Sequence, residues 1–318
     1  MSGDRKRTAL ITGATGGVGG AVAEALLRHG WRVRALTRRP ATATAGIDWI
    51  QGDAMRPEDL ARAAEGAEIL FHGANPPGYR NWRGLAVPML RNAIDAAKAS
   101  GARLIYPGSV YVYGPDAWPV AAETAPQHPR TRKGAIRVEM EAMLASEAGR
   151  GLRTLTVRAG DFFGPHAPSS WVAMIMLQNG KRLGRILTPE RKGVGHAWAY
   201  LPDLAETIAQ LADREAKLPP AETLHFRGHV LQGRQMAEAV ARADGGLLPV
   251  RGFPWALVFA GAPFNTTMRE LLEMRYLWRE TITLDNGRLR AILGTEPHTP
   301  LDAAVMSTVR AVRSATGG

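Results

Sequence analysis

Thr12-Gly13-Ala14-Thr15-Gly16-Gly17-Val18-Gly19-Gly20 directly follows an apolar run and opens a helical pattern. Its glycines can divide the work of holding a pyrophosphate. Gly13 permits a sharp strand-to-helix turn, Gly16 lets backbone approach the phosphates with no Cβ in the way, and Gly19 lets the helix pack close on a sheet. Free amides and the dipole at the helix N-terminus then stabilise the negative charge. The cradle is assigned to Gly13, Thr15, Gly16, Gly17, Val18 and Gly19. At the end of the next extended run, where an NAD site usually offers a carboxylate to the ribose, the chain reads Thr37-Arg38-Arg39 with no acid. Two guanidiniums offer charge-assisted, bidentate bonds to a 2′-phosphate. The expected cofactor is therefore NADP, with NAD possible.

Such a cradle acts only at a strand–helix junction of a parallel sheet, and the first half of the chain has that alternation. Strands are expected at 9–12, 32–37, 48–52, 68–72, 103–106 and 153–158, and helices at 18–29, 57–64, 82–99 and 133–147. Gly30 and Gly101 stand where helix C-terminal glycines belong. The expectation is an α/β, Rossmann-type doubly wound parallel sheet. A dinucleotide-binding core over 1–165 would carry a smaller substrate-binding region over 166–318 packed on it. In that region helices are expected at 170–178, 202–212, 234–243, 267–278 and 300–312, with extended pieces at 195–200, 223–227 and 248–252. The apolar run 254–264 contains two prolines and reads as a buried helix or substrate lid in preference to a membrane contact.

Composition narrows the chemistry. The 318 residues contain no cysteine, which excludes disulfides, thiolate metal sites and a thiol nucleophile. The histidines show no metal-ligand spacing and no metal is expected. The glycine loop lacks the Gly-Lys-Ser/Thr of phosphoryl transfer, and no Gly-x-Ser-x-Gly of a serine hydrolase occurs. Net charge is +11, with 40 basic residues of which six are Lys and 34 Arg. These arginines are scattered, without a nucleic-acid-binding motif, so nucleic acid is not an expected partner. No apolar span is long enough to cross a bilayer, and the N-terminus lacks a signal-peptide core, so a cytoplasmic protein without a membrane partner is the default expectation.

Taken together these residues resemble the extended branch of the short-chain dehydrogenase/reductase superfamily, the epimerase/dehydratase-like proteins. The resemblance covers Thr-Gly-x-x-Gly-x-x-Gly at 12–19, Gly52-Asp53-Ala54 after the third strand, and His72-Gly73-Ala74 after the fourth. It extends to Ser109-Val110-Tyr111-Val112-Tyr113-Gly114 after the fifth, Arg158–Pro165, and His196–Asp203. It implies that Asp53 and Ala54 meet the adenine end, that Gly73 and Ala74 lie beside the cofactor, and that Ala159 and Phe162 border the nicotinamide. The departure is at the catalytic centre. Where the family has Tyr-x-x-x-Lys, this chain has Lys133-Gly134-Ala135-Ile136-Arg137, followed by Glu141.

In the family's pair the lysine bonds the nicotinamide ribose. Arg137 would keep that charge and those donors, and Lys133, one helical turn away on the same face, would stand at the acid position. The neighbouring guanidinium, with an oxidised nicotinamide adding to it, would favour a neutral amine there, able to act as acid or base; the alternative is a helix that turns two basic residues to solvent or phosphate. Ser109 would orient the substrate oxygen, and Tyr111 is a second candidate acid, whereas Tyr113 suits packing. The expected function is NAD(P)-dependent oxidoreduction, or an epimerase-like variant of it, at a carbonyl or secondary alcohol of a small molecule. A homodimer is possible. The rival expectation is a non-catalytic NADP(H)-binding regulator that reports redox state.

Overall fold

In the computed structural model the described residues are 7–39, 45–76, 81–180, 184–246 and 248–315. The first strand, β1 (Thr8–Thr12), is wholly buried. Its side chains alternate between two cores, as strand geometry requires. Ala9 and Ile11 enter one with Val22, Leu26, Leu204 and Ile208, while Leu10 enters the other with Leu60, Leu90 and Leu144. Burial on both faces is the condition of a parallel sheet covered by helices.

Seven strands form that sheet. Besides β1 they are β2 (Arg32–Thr37), β3 (Ile47–Gln51), β4 (Ile69–His72), β5 (Arg103–Ser109), β7 (Thr154–Ala159) and β11 (Ala221–His225), in the order β11-β7-β5-β4-β1-β2-β3. Every pairing in it is parallel. The helices α1 (Gly17–Arg28) and α5 (Leu201–Asp213) cover one face. The other is covered by α2 (Pro57–Ala64), α3 (Trp82–Ser100) and α4 (Arg132–Ala148). Gly30 and Gly101 take the expected left-handed conformation, with φ of 79° and 71°. The edge strand β11 comes from beyond residue 165, so the sheet draws on both sides of the expected division at 165/166.

The remaining elements form the region over the carboxyl ends of the strands. β8 (Asp161–Phe163) and β10 (Gly195–Tyr200) pair in parallel, and β12 (His229–Gln232) pairs antiparallel to β10. Two small ribbons join β6 (Val120–Ala121) to β14 (Thr283–Leu284) and β9 (Ile186–Thr188) to β13 (Val250–Gly252). Around them lie α6 (Gln235–Ala243), α7 (Trp255–Gly261), α8 (Thr266–Glu273) and α10 (Leu301–Ser314), whereas α9 (Gly287–Leu293) packs on β11 and places Leu289 in the core beneath α1 and α5.

Three expectations are corrected here. The helix at 170–178 reduces to one wide turn, Val172–Met176, in which Leu177 N–H bonds Val172 O five residues back. The helix at 267–278 divides into α8 and a tighter turn, Met274–Trp278. The run 254–264 is not a buried helix: of α7 only Val258 is buried. The prolines at 254 and 263 bracket a helix of seven residues, too short to turn more than a narrow stripe inward. No helix among the described residues is long and apolar enough to cross a membrane.

Candidate active site

The cradle forms as its glycines require. Gly13 has φ +77°, and a Cβ there would lie 2.5 Å from Gly73 O. A Cβ on Gly19 would lie 2.3 Å from Gly13 O, and one on Gly17 would lie 2.9 Å from His166 O. A Cβ on Gly16 would meet Gly13 O at 3.3 Å and, its chain neighbours aside, no other atom of the described residues within 4 Å, so this position is open. Gly16 caps α1 without a side-chain bond to the free amides, and the first turn holds no acid. Thr15 is exposed and Val18 packs on the core. Thr12 Oγ1 lies 3.1 Å from His72 Nδ1 and accepts from Ala74 N–H at 3.3 Å, which stitches Gly73-Ala74 to the cradle. Uncapped amides facing open space fit a pyrophosphate. Gly16→Val should therefore abolish dinucleotide binding in calorimetric titration while the circular dichroism spectrum and melting temperature hold; unchanged affinity would reduce Gly16 to a turn residue.

At the far end of the sheet, Arg38, Gln51, Gly52, Asp53, Arg56 and Asp59 line an open cavity of about 420 Å³. Asp59 accepts from Asp53 N–H at 2.9 Å, and that bond, with Arg62, holds its carboxyl below the usual range. Ala54 O accepts from Asn92 at 3.0 Å. Arg39 is exposed, with its backbone turned onto Thr37 Oγ1. The second guanidinium of the cavity is Arg56, which the spacing from the glycines does not single out.

The centre lies where β5 and β7 end, the carboxyl edge at which open parallel sheets bind ligands. Ser109 pairs in register with Ala159, and Asp161 and Phe162 follow on β8. Tyr111 N–H donates to Ser109 Oγ at 3.2 Å, leaving the serine proton for another acceptor. The Tyr111 hydroxyl donates to Asp161 Oδ1 at 3.0 Å, and Asp161 Oδ2 lies 2.9 Å from His196 Nε2. His196 Nδ1 meets Leu277 O at 3.1 Å. A carbonyl and a carboxylate can only accept, so the ring between them is satisfied when the Asp161–His196 pair holds one proton beyond a carboxylate and a neutral imidazole. Aromatic rings enclose this chain. Trp278 stacks on His196 at 4.1 Å, Trp171 meets Trp278 edge-on at 5.0 Å, and Tyr276 stacks on Trp118 at 5.9 Å. The buried Tyr276 hydroxyl has no hydrogen-bond partner among the described residues; burial pushes its pKa up, and Asp161 and Glu273 add to that.

Lys133 and Arg137 share a helix face yet engage different partners. Thr131 Oγ1 caps α4 by accepting from Gly134 N–H at 2.9 Å. Lys133, 4% exposed, pairs its ammonium with the Glu270 carboxylate, and its backbone N–H donates to Glu273 Oε1 at 3.0 Å. The sequence sets Arg137 and the nicotinamide beside this amine and does not reveal the carboxylate that α8 brings to it from 137 residues downstream. Arg137 donates to the Tyr106 hydroxyl and lies 4.7 Å over the Trp82 ring. Behind them Arg158 pairs with Glu141 at 2.6 Å and also bonds the Tyr113 hydroxyl, which lies 2.6 Å from His225 Nε2. Tyr113, pushed up to about 12 chiefly by burial, is thus a packing group.

Sequence spacing does not single out Asp161, His196, Tyr276 or Glu270 for these roles. It also misses a cluster of Asp203, His229 and His298, whose ligand atoms lie within 4.8 Å of one another. Both Asp203 oxygens there already accept from Thr299, each at 2.7 Å.

The NAD dependent epimerase/dehydratase family matches residues 9–224. Ceramide reductase of Caulobacter vibrioides is 36% identical over 117 residues, 35% of this chain and 37% of that protein. The decarboxylating sterol-4-alpha-carboxylate 3-dehydrogenase of Bos taurus is 24% identical over 212 residues, 59% of each chain. The chain thus spans about two fifths to three fifths of the length of these relatives. The crystal structure of UDP-N-acetylglucosamine 4-epimerase from Bacillus cereus superposes with a TM-score of 0.76 at 16% identity, covering 97% of this chain and 100% of that one. That similarity concerns the fold.

Proposed function

This chain belongs to the NAD dependent epimerase/dehydratase family, and from that premise we propose that it is an NADP(H)-dependent oxidoreductase acting on a carbonyl or secondary alcohol of a largely apolar small molecule. The observation that carries this reading is the Tyr111–Asp161–His196 chain beside Ser109 at the carboxyl edge of the sheet. The aromatic enclosure supports an apolar substrate, as do relatives named for ceramide and sterol chemistry.

The nicotinamide, when bound, supplies or accepts the hydride. In the reductive direction the Ser109 hydroxyl orients the substrate oxygen by donating to it. Tyr111 gives that oxygen its proton and regains one that passes from His196 through the Asp161 carboxylate. The alcohol leaves, and the Asp161–His196 pair recovers its proton from water. Arg137 offers its charge toward the ribose, and Lys133 holds α8 over the site through Glu270. The test is NADPH consumption with a panel of medium- and long-chain aldehydes and ketones. Binding of NADPH with no consumption across the panel would overturn the reading. That outcome would favour the regulator, for which one observation speaks: the residue at the acid position is already held in an ion pair.

NADP(H) is the preferred dinucleotide in this reading, with Arg38 and Arg56 receiving the 2′-phosphate. Charge-assisted bonds are each worth roughly 1.5–3 kcal/mol, and exposure here argues for the lower end, so Arg38→Ala with Arg56→Ala should weaken NADPH at least about tenfold. NADH should hardly change. Equal affinity of the unaltered protein for both cofactors would overturn the preference.

A further inference from the structure

We propose that the surface formed by α7 and the turn into α8 docks on an anionic lipid bilayer. Among the described residues, three of the six large apolar side chains that stand exposed lie here: Leu257 is 67% exposed, Phe259 49% and Phe264 92%. Val258 and Ala262 face inward from the same short segment, so the outward apolar row is not a misplaced core.

The charges around this row have one sign. Arg275 holds its guanidinium 4.9 Å from the Phe259 ring centre and 5.6 Å from that of Trp255. Arg269 folds onto the turn that carries Phe264, donating to Pro263 O at 3.3 Å and Thr266 Oγ1 at 3.0 Å. Arg251 stands exposed on β13, just before the helix. The acids of α8 do not offset them, because Glu270 and Glu273 turn inward to Lys133. An apolar row flanked by arginines, on a chain of net charge +11, is complementary to a surface of anionic headgroups over hydrocarbon. Arginine stems reach the headgroup level while the rings sit below it. Among the described residues no helix is long and apolar enough to cross a bilayer, and the contact proposed is a peripheral one. Because α8 is tied to the first turn of α4, docking would bring the mouth of the candidate site to the lipid surface, where an apolar substrate resides.

This surface goes beyond the proposed reaction and is measured without cofactor or substrate, so the failure of either leaves the other standing. The full chain is sedimented with vesicles of phosphatidylcholine containing phosphatidylglycerol, and with phosphatidylcholine alone. Co-sedimentation is expected with the anionic vesicles and should fall steeply with salt. Leu257→Ser with Phe264→Ser should lower the partition coefficient about tenfold or more, and Arg251→Glu with Arg269→Glu by a similar factor. NADPH affinity and the melting temperature should hold in both. Absence of co-sedimentation overturns the proposal. So does binding that survives the serine pair, which would make the contact one of net charge alone. Loss of a concentration-dependent dimer in the serine variant, without vesicle binding by the parent, would assign the face to a second copy and also overturn it.

Discussion

Tyr111→Phe should lower carbonyl turnover by about 10²–10⁴-fold, the range of a positioned general acid, while NADPH affinity stays at its original value. The phenol hydroxyl bonds Asp161 and, in the proposed mechanism, the substrate oxygen, so its removal acts chiefly on the transition state. Asp161→Asn keeps the size of the side chain but cannot pass a proton between Tyr111 and His196. It should lower kcat with KM nearly held and alter the pH profile, which a purely structural role would not do. Lys133→Met is the contrasting variant. Its ammonium is balanced by Glu270 and its backbone is held by Glu273, so the expected cost is the loose docking of α8 and a rise in KM, with kcat within about tenfold. Should Lys133→Met remove turnover while Tyr111→Phe leaves it intact, the proton passes through the amine and the tyrosine assignment is wrong.

The contrast between these two residues shows which parts of the molecule could be read from sequence. The cradle was legible because its parts are consecutive: a strand, three spaced glycines and a helix start constrain one another within a dozen residues. The parallel sheet was legible through β7, because β1, β3 and β4 are each followed directly by a helix. The acid position was not. Lys133 and Arg137 are local neighbours, so helix periodicity correctly places them on one face. What determines their chemistry is Glu270 on one and Tyr106 with Trp82 on the other, and those contacts span long stretches of chain. The Tyr111–Asp161–His196 chain is likewise assembled from the turn after β5, from β8 and from β10, three elements with no shared spacing. The segment 254–264 failed differently. Its hydrophobicity suggested burial, but a seven-residue helix bracketed by prolines is too short to build a wide inward face.

Acid should destabilise the protein steeply below about pH 6.5, the unperturbed histidine value. Three histidines carry the effect. His72 is pushed down to about 3 by burial and by Arg137, His225 to about 4 by burial and by Arg158, and His229 to about 4 by burial and by His298. The unfolded chain takes up these protons near pH 6.5 and the folded chain only near pH 3–4, so stability falls as pH falls through that window and levels off beneath it. The limiting slope is about 1.4 kcal/mol per pH unit for each group, or about 4 kcal/mol for the three together. Asp59, Glu147, Glu206 and Asp213 have lowered folded values, so their contribution is lost at more acid pH and adds with the same sign. His29, raised by Asp213 and Glu206 against the burial that opposes them, works the other way: its contribution is present below about pH 6.5 and lost as pH rises through its folded value. Its pairs lie near the surface and are screened, so the buried three prevail. Urea denaturation across this window checks the slope, and a flat midpoint between about pH 6.5 and 4.5 would show that these rings are not buried neutral. The cofactor site should respond at still lower pH. His72 bonds Thr12, and Thr12 holds Ala74 beside the cradle, so protonating that ring in the folded protein, near pH 3, should weaken NADPH binding only at the acid end of the window in which stability falls.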